Sequence, residues 1–177
     1  MRFTDSPSPE EYSPFYADYI QRASARGDVN AALSFQIDEM RSALGGLSDS
    51  QARFKPGPLE WSIKEVISHL TDVERVFSYR LLRISRKDKT PIPGFEQEDY
   101  VRESGADEIS MTDLLEEFFF LRRANILAIK NIKETALMEI GTASGNPVSA
   151  RALIYMLVGH VDHHMASLQE KYLPSAQ

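Results

Sequence analysis

The chain contains no cysteine among its 177 residues. That one absence removes disulfides, thiolate metal sites and a cysteine nucleophile together. It agrees with a reducing compartment, and a cytoplasmic location is the expectation. Long hydrophobic runs are also lacking. Nothing approaches the ~20 apolar residues of a membrane span, and the opening "MRFTDSPSPEEYSPFY" has no apolar stretch of signal-peptide type. Positive charge is in short supply, with 20 Lys and Arg against 26 Asp and Glu, a net charge of −6 and no polybasic run. Neither nucleic acid nor a membrane surface is therefore expected as a partner. Histidine is scarce as well. There are four, and three of them fall in the stretch "GHVDHHMASL", residues 159–168.

What is present is ordinary for one soluble domain: 42% hydrophobic and 26% charged residues in a length that can bury a sizeable core. We read 1–177 as a single domain, with an N-terminal lead-in over 1–27 and a helical body over 28–173. Residues 1–14 are rich in Pro and Ser and read as irregular, with a short helix at about 15–25. Asp28 is an N-cap for a first long helix. Leu33, Ile37, Met40 and Leu44 follow at helical spacing until Gly45-Gly46 stops them.

The second long helix has the clearest start. In "WSIKEVISHL", Ser62 and Glu65 form an S-x-x-E capping box. Ile63, Val66, Ile67, Leu70, Val73, Phe77, Leu81 and Ile84 then keep one apolar face until "RKDKTPIPGF" ends it. A third helix is expected from about 110 to 134. "GTASGNP" reads as a loop, and "VSARALIYMLVGHVDHHMASLQEKYL" reads as the fourth helix. No strand competes with these readings, so the fold class is an all-α four-helix bundle. The short joins suit antiparallel neighbours. The long segment from about 88 to 109 suits a crossover between helices two and three, in an up-down-down-up order. Its "GFEQEDY" portion is a candidate lid, with Glu98 and Tyr100 as residues facing the site.

On a helical wheel the apolar side of the fourth helix centres on Leu153, Leu157, Val161, Met165, Leu168 and Tyr172. His164 lies roughly 60° from that centre and His160 roughly 90–100° from it, with His163 nearly opposite. His160 and His164 thus share a face one turn apart, the separation that lets two imidazoles converge on one ion. His69 falls about 90° from the apolar centre of helix two. It can complete a three-nitrogen set, while His163 is expected in solvent. Three neutral imidazoles suit zinc or nickel, and also iron or copper, with positions left for water or substrate. The competing reading is three hydrogen-bonded core histidines. Metalloprotease chemistry is disfavoured because H-E-x-x-H needs a glutamate where this chain has Val161. Asp162 points away from the core and is no substitute.

Glu74 lies within the apolar face of helix two, where a carboxylate needs a partner. It is the candidate catalytic base, with two other roles open. These are a hydrogen bond to a ligand histidine or an ion pair with Arg80, Arg122 or Arg123, the ion pair being the favoured one. Asp72 is expected exposed and Trp61 is expected to pack at the helix start. Phe118, Phe119 and Phe120 cannot all face one core, so one of them serves a bundle or dimer interface.

The segments "PLEWSIKEVISHL", "FFFLRRANILAIKNI" and "LVGHVDHHMASLQEKYL" together resemble the DinB-like superfamily, in particular its DinB/YfiT-type metalloenzymes. The resemblance covers roughly residues 28–173. It rests most on the Trp-Ser helix start, the histidine seven residues after that serine, and the late H-x-x-H-H pattern. It implies an up-down-down-up bundle and a divalent metal, zinc or nickel, held by His69, His160 and His164. It also implies a homodimer and a small-molecule substrate. Among relatives, it implies thiol-dependent S-transferases using bacillithiol or mycothiol, a maleylpyruvate isomerase and hydrolase-like proteins. Arg123 matches an arginine frequent in the family's third helix and is the expected cofactor- or anion-binding residue. A low-molecular-weight thiol is the implied cosubstrate, since the chain has no cysteine of its own. The alternative to an enzyme is a metal-binding bundle acting as a sensor, store or interaction module.

Overall fold

The computed structural model describes residues 5–173, so the first four residues of the expected lead-in and the last four of the chain lie outside the described residues. Two 3-10 turns, Pro9–Glu11 and Pro14–Tyr16, lead into α1 (Ala17–Ala25). Then come α2 (Val29–Leu44), the single turn α3 (Asp49–Ala52) and α4 (Ile63–Ser85). The chain continues with α5 (Gln97–Glu103), α6 (Met111–Lys130), β1 (Ile140–Ala143), β2 (Asn146–Ser149) and α7 (Ala150–Ser167). A π-helical turn, Leu168–Tyr172, extends α7.

The helix starts follow the capping chemistry. Asp28 accepts from the N–H groups of Asn30 and Ala31, and Ser62 and Glu65 form the reciprocal capping box. Ser110 and Ser149 cap α6 and α7 in the same way. The four long helices α2, α4, α6 and α7 are the bundle. Their backbones approach most closely where α2 and α4 each meet α6 and α7. Sequence neighbours α2 and α4 are therefore not the closest pair, in contrast to the expectation from the short joins. A short join fixes where one helix ends and the next begins, but the buried faces decide which helices share an edge.

Two stretches depart from the sequence reading. "IGTASGNPVS" is an antiparallel hairpin, with Ile140 opposite Ser149 and Ala143 opposite Asn146, where a loop was expected. Its two central residues, Ser144 and Gly145, both have positive φ (51° and 75°), as a tight two-residue hairpin turn requires. The long connection after α4 is partly ordered as well. Ile92 bonds to the hairpin through Thr142 and Ser144, and α5 follows. The lead-in is also more than an appendage, because α1 lies along α7 with Ile20 and Ala23 buried. Gly159 permits that contact: a Cβ there would fall 1.9 Å from the carbonyl oxygen of Tyr19.

The apolar interior is divided in two. One cluster takes Val29 to Leu33, Val73 to Ile84 and Leu153 to Val158. The other takes Ile37 to Leu44, Ile63 to Leu70, Met111 to Phe119 and Val161 to Tyr172. Between them each long helix contributes buried polar residues: Gln36 from α2, His69 and Glu74 from α4, Arg122 and Asn125 from α6, and His160 from α7. No helix among the described residues is long and apolar enough to cross a membrane. Of the three phenylalanines, Phe118 and Phe119 are buried and Phe120 is exposed.

Candidate metal centre

His69, His160 and His164 meet in this polar layer. Their phase on α4 and α7 turns all three toward the same junction. One ring nitrogen from each lies within 4.8 Å of the other two. The Nε2 atoms of His69 and His160 are 3.1 Å apart. Metal–nitrogen bonds of ~2.0–2.1 Å put two ligand nitrogens on one ion about 2.9–3.4 Å apart, depending on the angle. The observed separation falls in that span. His69 and His160 are buried and His164 is half-buried.

The electrostatics match a ligand set. Burial, reinforced by the neighbouring imidazoles, lowers His69 to about 4 and His164 to about 3. Burial also holds His160 well below the ordinary histidine value. A charged imidazolium is penalised by desolvation, so at neutral pH all three rings are neutral, as a metal requires. The nitrogen donors, their convergence and their protonation state fit a divalent ion. His163 is not part of the set. Its Nδ1 lies 3.0 Å from Asp18 Oδ2 and its side chain is 44% exposed.

Aromatic rings surround the three histidines. Trp61 packs on His69, with ring centres 4.8 Å apart, and lies nearly parallel to His164 at 6.4 Å. Tyr19 sits edge-on to His160 at 5.3 Å, and Phe77 approaches the same ring. Trp61, expected as a packing residue of the helix start, thus walls the site, and its Nε1–H donates to Glu98 Oε2 at 3.2 Å. Tyr19 was missed from the sequence. Gly159, directly before His160, is the one signal that pointed to a close approach there.

Two cavities, each about 210 Å³, touch the triad. One is lined by Phe15, Tyr19, Phe77, Phe95 and Ser144 and reaches His160. The other is lined by Trp61, Val66, Glu98, His163 and His164. The connection from 88 to 109 therefore covers the site, through Phe95 toward one cavity and Glu98 toward the other. Tyr100 does not line either cavity; it is half-exposed and packs on Phe95.

Two expectations need correction. Glu74 is not poised as a base. Both of its oxygens accept from Arg122 at 2.8 Å, and Oε1 also accepts from Asn125. It makes no hydrogen bond to His69, His160 or His164 among the described residues, and of its three expected roles the ion pair is the one the side chains adopt. Arg123 is exposed and lines a separate surface groove with Ser34, Asp38 and Leu127, so the fold does not bring it to the triad. Arg123 lies about 100° round α6 from the buried Arg122, on the exposed side of the helix. Asp72 is half-buried and pairs with Arg75 at 3.5 Å. Asp162 pairs with Arg26 and accepts from the buried Gln36; it is less exposed than the wheel indicated, and it is not among the residues that meet at the triad. Val161 is buried in the core.

Comparison with known proteins agrees with this geometry. The family model of the DinB superfamily matches residues 32–168. No curated protein matches the chain in sequence. Among solved structures, YfiT from Bacillus subtilis, described as a "probable metal-dependent hydrolase with an unusual four-helix bundle topology", superposes with a TM-score of 0.74. It is 15% identical, and the match covers 90% of this chain and 91% of that one. The mycothiol-dependent maleylpyruvate isomerase matches with a TM-score of 0.66 at 13% identity, over 79% of this chain and 59% of that one. Identities so low bear on the fold alone; together with the family match and the placement of the helices, they identify the chain as a member of the DinB superfamily.

Proposed function

We propose that this protein is a divalent-metal-dependent enzyme that transfers a small thiol to, or adds water to, a small electrophilic substrate. The observation that carries the reading is the convergence of three desolvated, neutral imidazoles between two cavities, one touching His160 and the other His164. His69, His160 and His164 hold the ion, zinc or nickel by the character of the donors. When bound, the ion supplies Lewis acidity that activates an oxygen or sulfur nucleophile near neutral pH.

The chain's own groups supply the rest. Trp61, Tyr19 and Phe77 exclude water from the faces of the ligand rings and hold them in place. Glu98 and Glu60 are the carboxylates on the wall of the second cavity, and Glu98, tied to Trp61, is the candidate to accept a proton. Glu74 is engaged with Arg122 and holds α4 against α6. Two cavities of similar size favour a reaction that brings two small molecules together, which supports transfer over hydrolysis. The thiol has to come from outside, because the chain has no cysteine. An up-down-down-up helix order is part of the same reading, supported by the long connection between α4 and α6; a homodimer belongs to it too, with the exposed Phe120 as the candidate contact.

The test is elemental analysis of protein purified without a metal-affinity tag, followed by assays of the loaded protein with low-molecular-weight thiols and electrophiles. We expect about one equivalent of metal per chain and thiol-dependent turnover that His160→Ala abolishes. Metal below a tenth of an equivalent, with none acquired on reconstitution, would refute the metal centre. Stoichiometric metal without turnover in any thiol or water assay would leave a sensor or store as the better account.

A further inference from the structure

The other buried cations among the described residues sit against carboxylates. Arg122 pairs with Glu74 and Lys64 with Asp49. Arg80 does not. It is 2% exposed, and no carboxylate lies within ion-pair distance of it among the described residues. Its Nη2 donates to Ser144 Oγ at 2.8 Å and to the Pro93 carbonyl at 3.3 Å, while its buried Nε has no partner. A buried guanidinium satisfied only by neutral oxygens is expensive to maintain. Such a charge is retained where something brings the missing negative partner.

The place where that partner fits is next to it. Ser144 lines the cavity that reaches His160, and Arg80 lies against Phe77, a second wall of the same cavity. The hairpin turn and the two backbone bonds from Ile92 fix Ser144 there. Because Arg80 donates to Oγ, the hydroxyl hydrogen of Ser144 must point elsewhere, and among the described residues nothing accepts it. The remaining walls are mostly apolar or aromatic, from Phe15, Tyr16, Tyr19, Val73 and Phe95, with Gln97 beside them. The cavity, at about 210 Å³, exceeds the ~150 Å³ that holds a benzene ring in a protein interior. Glu96, exposed on the rim, opposes a second negative charge at the mouth.

We propose that this cavity takes a monoanionic substrate with a ring-sized apolar body, its carboxylate or similar oxoanion bound by Ser144 Oγ with the charge of Arg80 behind it. The inference rests on the metal reading for where the reacting end lies. The anion site itself depends only on Arg80 and Ser144. Ser144 is the binding residue, and Arg80 is a positioning residue that acts through it and through its field.

The test compares phenylacetate with its neutral isostere phenylacetamide by calorimetry and ligand-observed NMR. Both are measured on the zinc-loaded full chain and on the same chain stripped of metal. We expect phenylacetate to bind about tenfold more tightly than the amide in both forms. Ser144→Ala should cut that preference to about threefold and Arg80→Met should erase it. Ser144 is exposed, so Ser144→Ala keeps the test valid even if Arg80→Met fails to fold. Equal binding of acid and amide, a preference untouched by both substitutions, or no binding of either up to millimolar concentration would overturn the proposal. A preference seen only with zinc present would also overturn it, because the acid would then be binding the ion, and the metal reading would survive. A preference in the stripped chain that takes up no zinc would sustain the anion site and refute the metal reading instead.

Discussion

Replacing Glu74 by methionine strands a guanidinium in the middle of the bundle. Arg122 is fully buried, and Glu74 meets it with two hydrogen bonds of 2.8 Å. Gln36 Oε1 and the Leu157 carbonyl accept its remaining bonds, and Phe118 lies under it at 5.1 Å. Without Glu74 those neutral acceptors remain but the counter-charge is gone. Breaking one partner of such a pair costs about 3–5 kcal/mol, against a total stability on the order of 5–15 kcal/mol for a domain. Glu74→Met should therefore lower the melting temperature by about 6–20 °C, and Arg122→Met should do similar damage. The double variant removes both charges. We expect it to be far less destabilised than the sum, with a coupling of at least about 2 kcal/mol in a double-mutant cycle. Urea melts of the four proteins measure this directly. Additive losses, or single losses under about 1 kcal/mol, would refute the ion-pair account. Turnover discriminates further. A Glu74→Met protein that is as stable as the parent but inactive would restore Glu74 as a base.

Gly159→Ala drives a methyl group into the Tyr19 carbonyl. It should lift α1 from α7, cost about 1–3 kcal/mol in urea and open α1 to limited proteolysis; an unchanged melt would mean α1 does not need that approach. Burial opposes ionisation of Glu11, but hydrogen bonds from Arg151, Ser149 and the Ser8 amide outweigh it and hold the group at about 2. Its folded-state value is thus depressed, so its stabilisation is full above the unfolded value and is lost as pH falls from about 5 toward 2. The loss is about 2–3 kcal/mol, and Glu11→Gln should flatten that part of the stability profile. Trp61 is the only tryptophan in the chain and its ring lies on His69 and His164. Nickel should therefore quench the emission to an end point near one equivalent, and His69→Ala should abolish the saturable quench. Quenching that persists in His69→Ala would place nickel elsewhere.

The parts of the fold that were legible in the sequence are those written in local chemistry. The capping box at Ser62 and Glu65 marked the start of α4, and the 3.6-residue period placed His69, His160 and His164 toward the interior before any contact was known. Glu74 was likewise visible as a carboxylate on an apolar face. Which arginine would meet it was not, because the choice between Arg122 and Arg123 depends on how α4 and α6 are set against each other. Packing put Arg122 on Glu74 and turned Arg123 to solvent, while Arg80, on α4 itself, has no carboxylate within ion-pair distance among the described residues. The hairpin was hidden for a different reason. Its strands of four residues contain a glycine and a proline, so no alternation develops before the turn intervenes.

The polar layer explains why both kinds of residue occur together. A bundle closed by a continuous apolar core would have apolar side chains in place of His69 and His160 and would gain stability from their burial. This chain interrupts its core at one level, where each of the four long helices gives up apolar contacts to a charged or hydrogen-bonding group. The ion pair of Glu74 and Arg122, with Gln36 bonded to both Arg122 and the Val158 carbonyl, ties the four helices at that level. His160 is two residues beyond Val158 on α7, and His69 is five residues before Glu74 on α4. The network therefore fixes the spacing of the two helices that carry the ligands. A ring-nitrogen separation of 3.1 Å tolerates little slippage before it leaves the range that one ion can bridge. The structural carboxylate and the three histidines are thus parts of one arrangement. On the proposed function, Glu74 serves the site by holding α4 in register, through its bonds to Arg122.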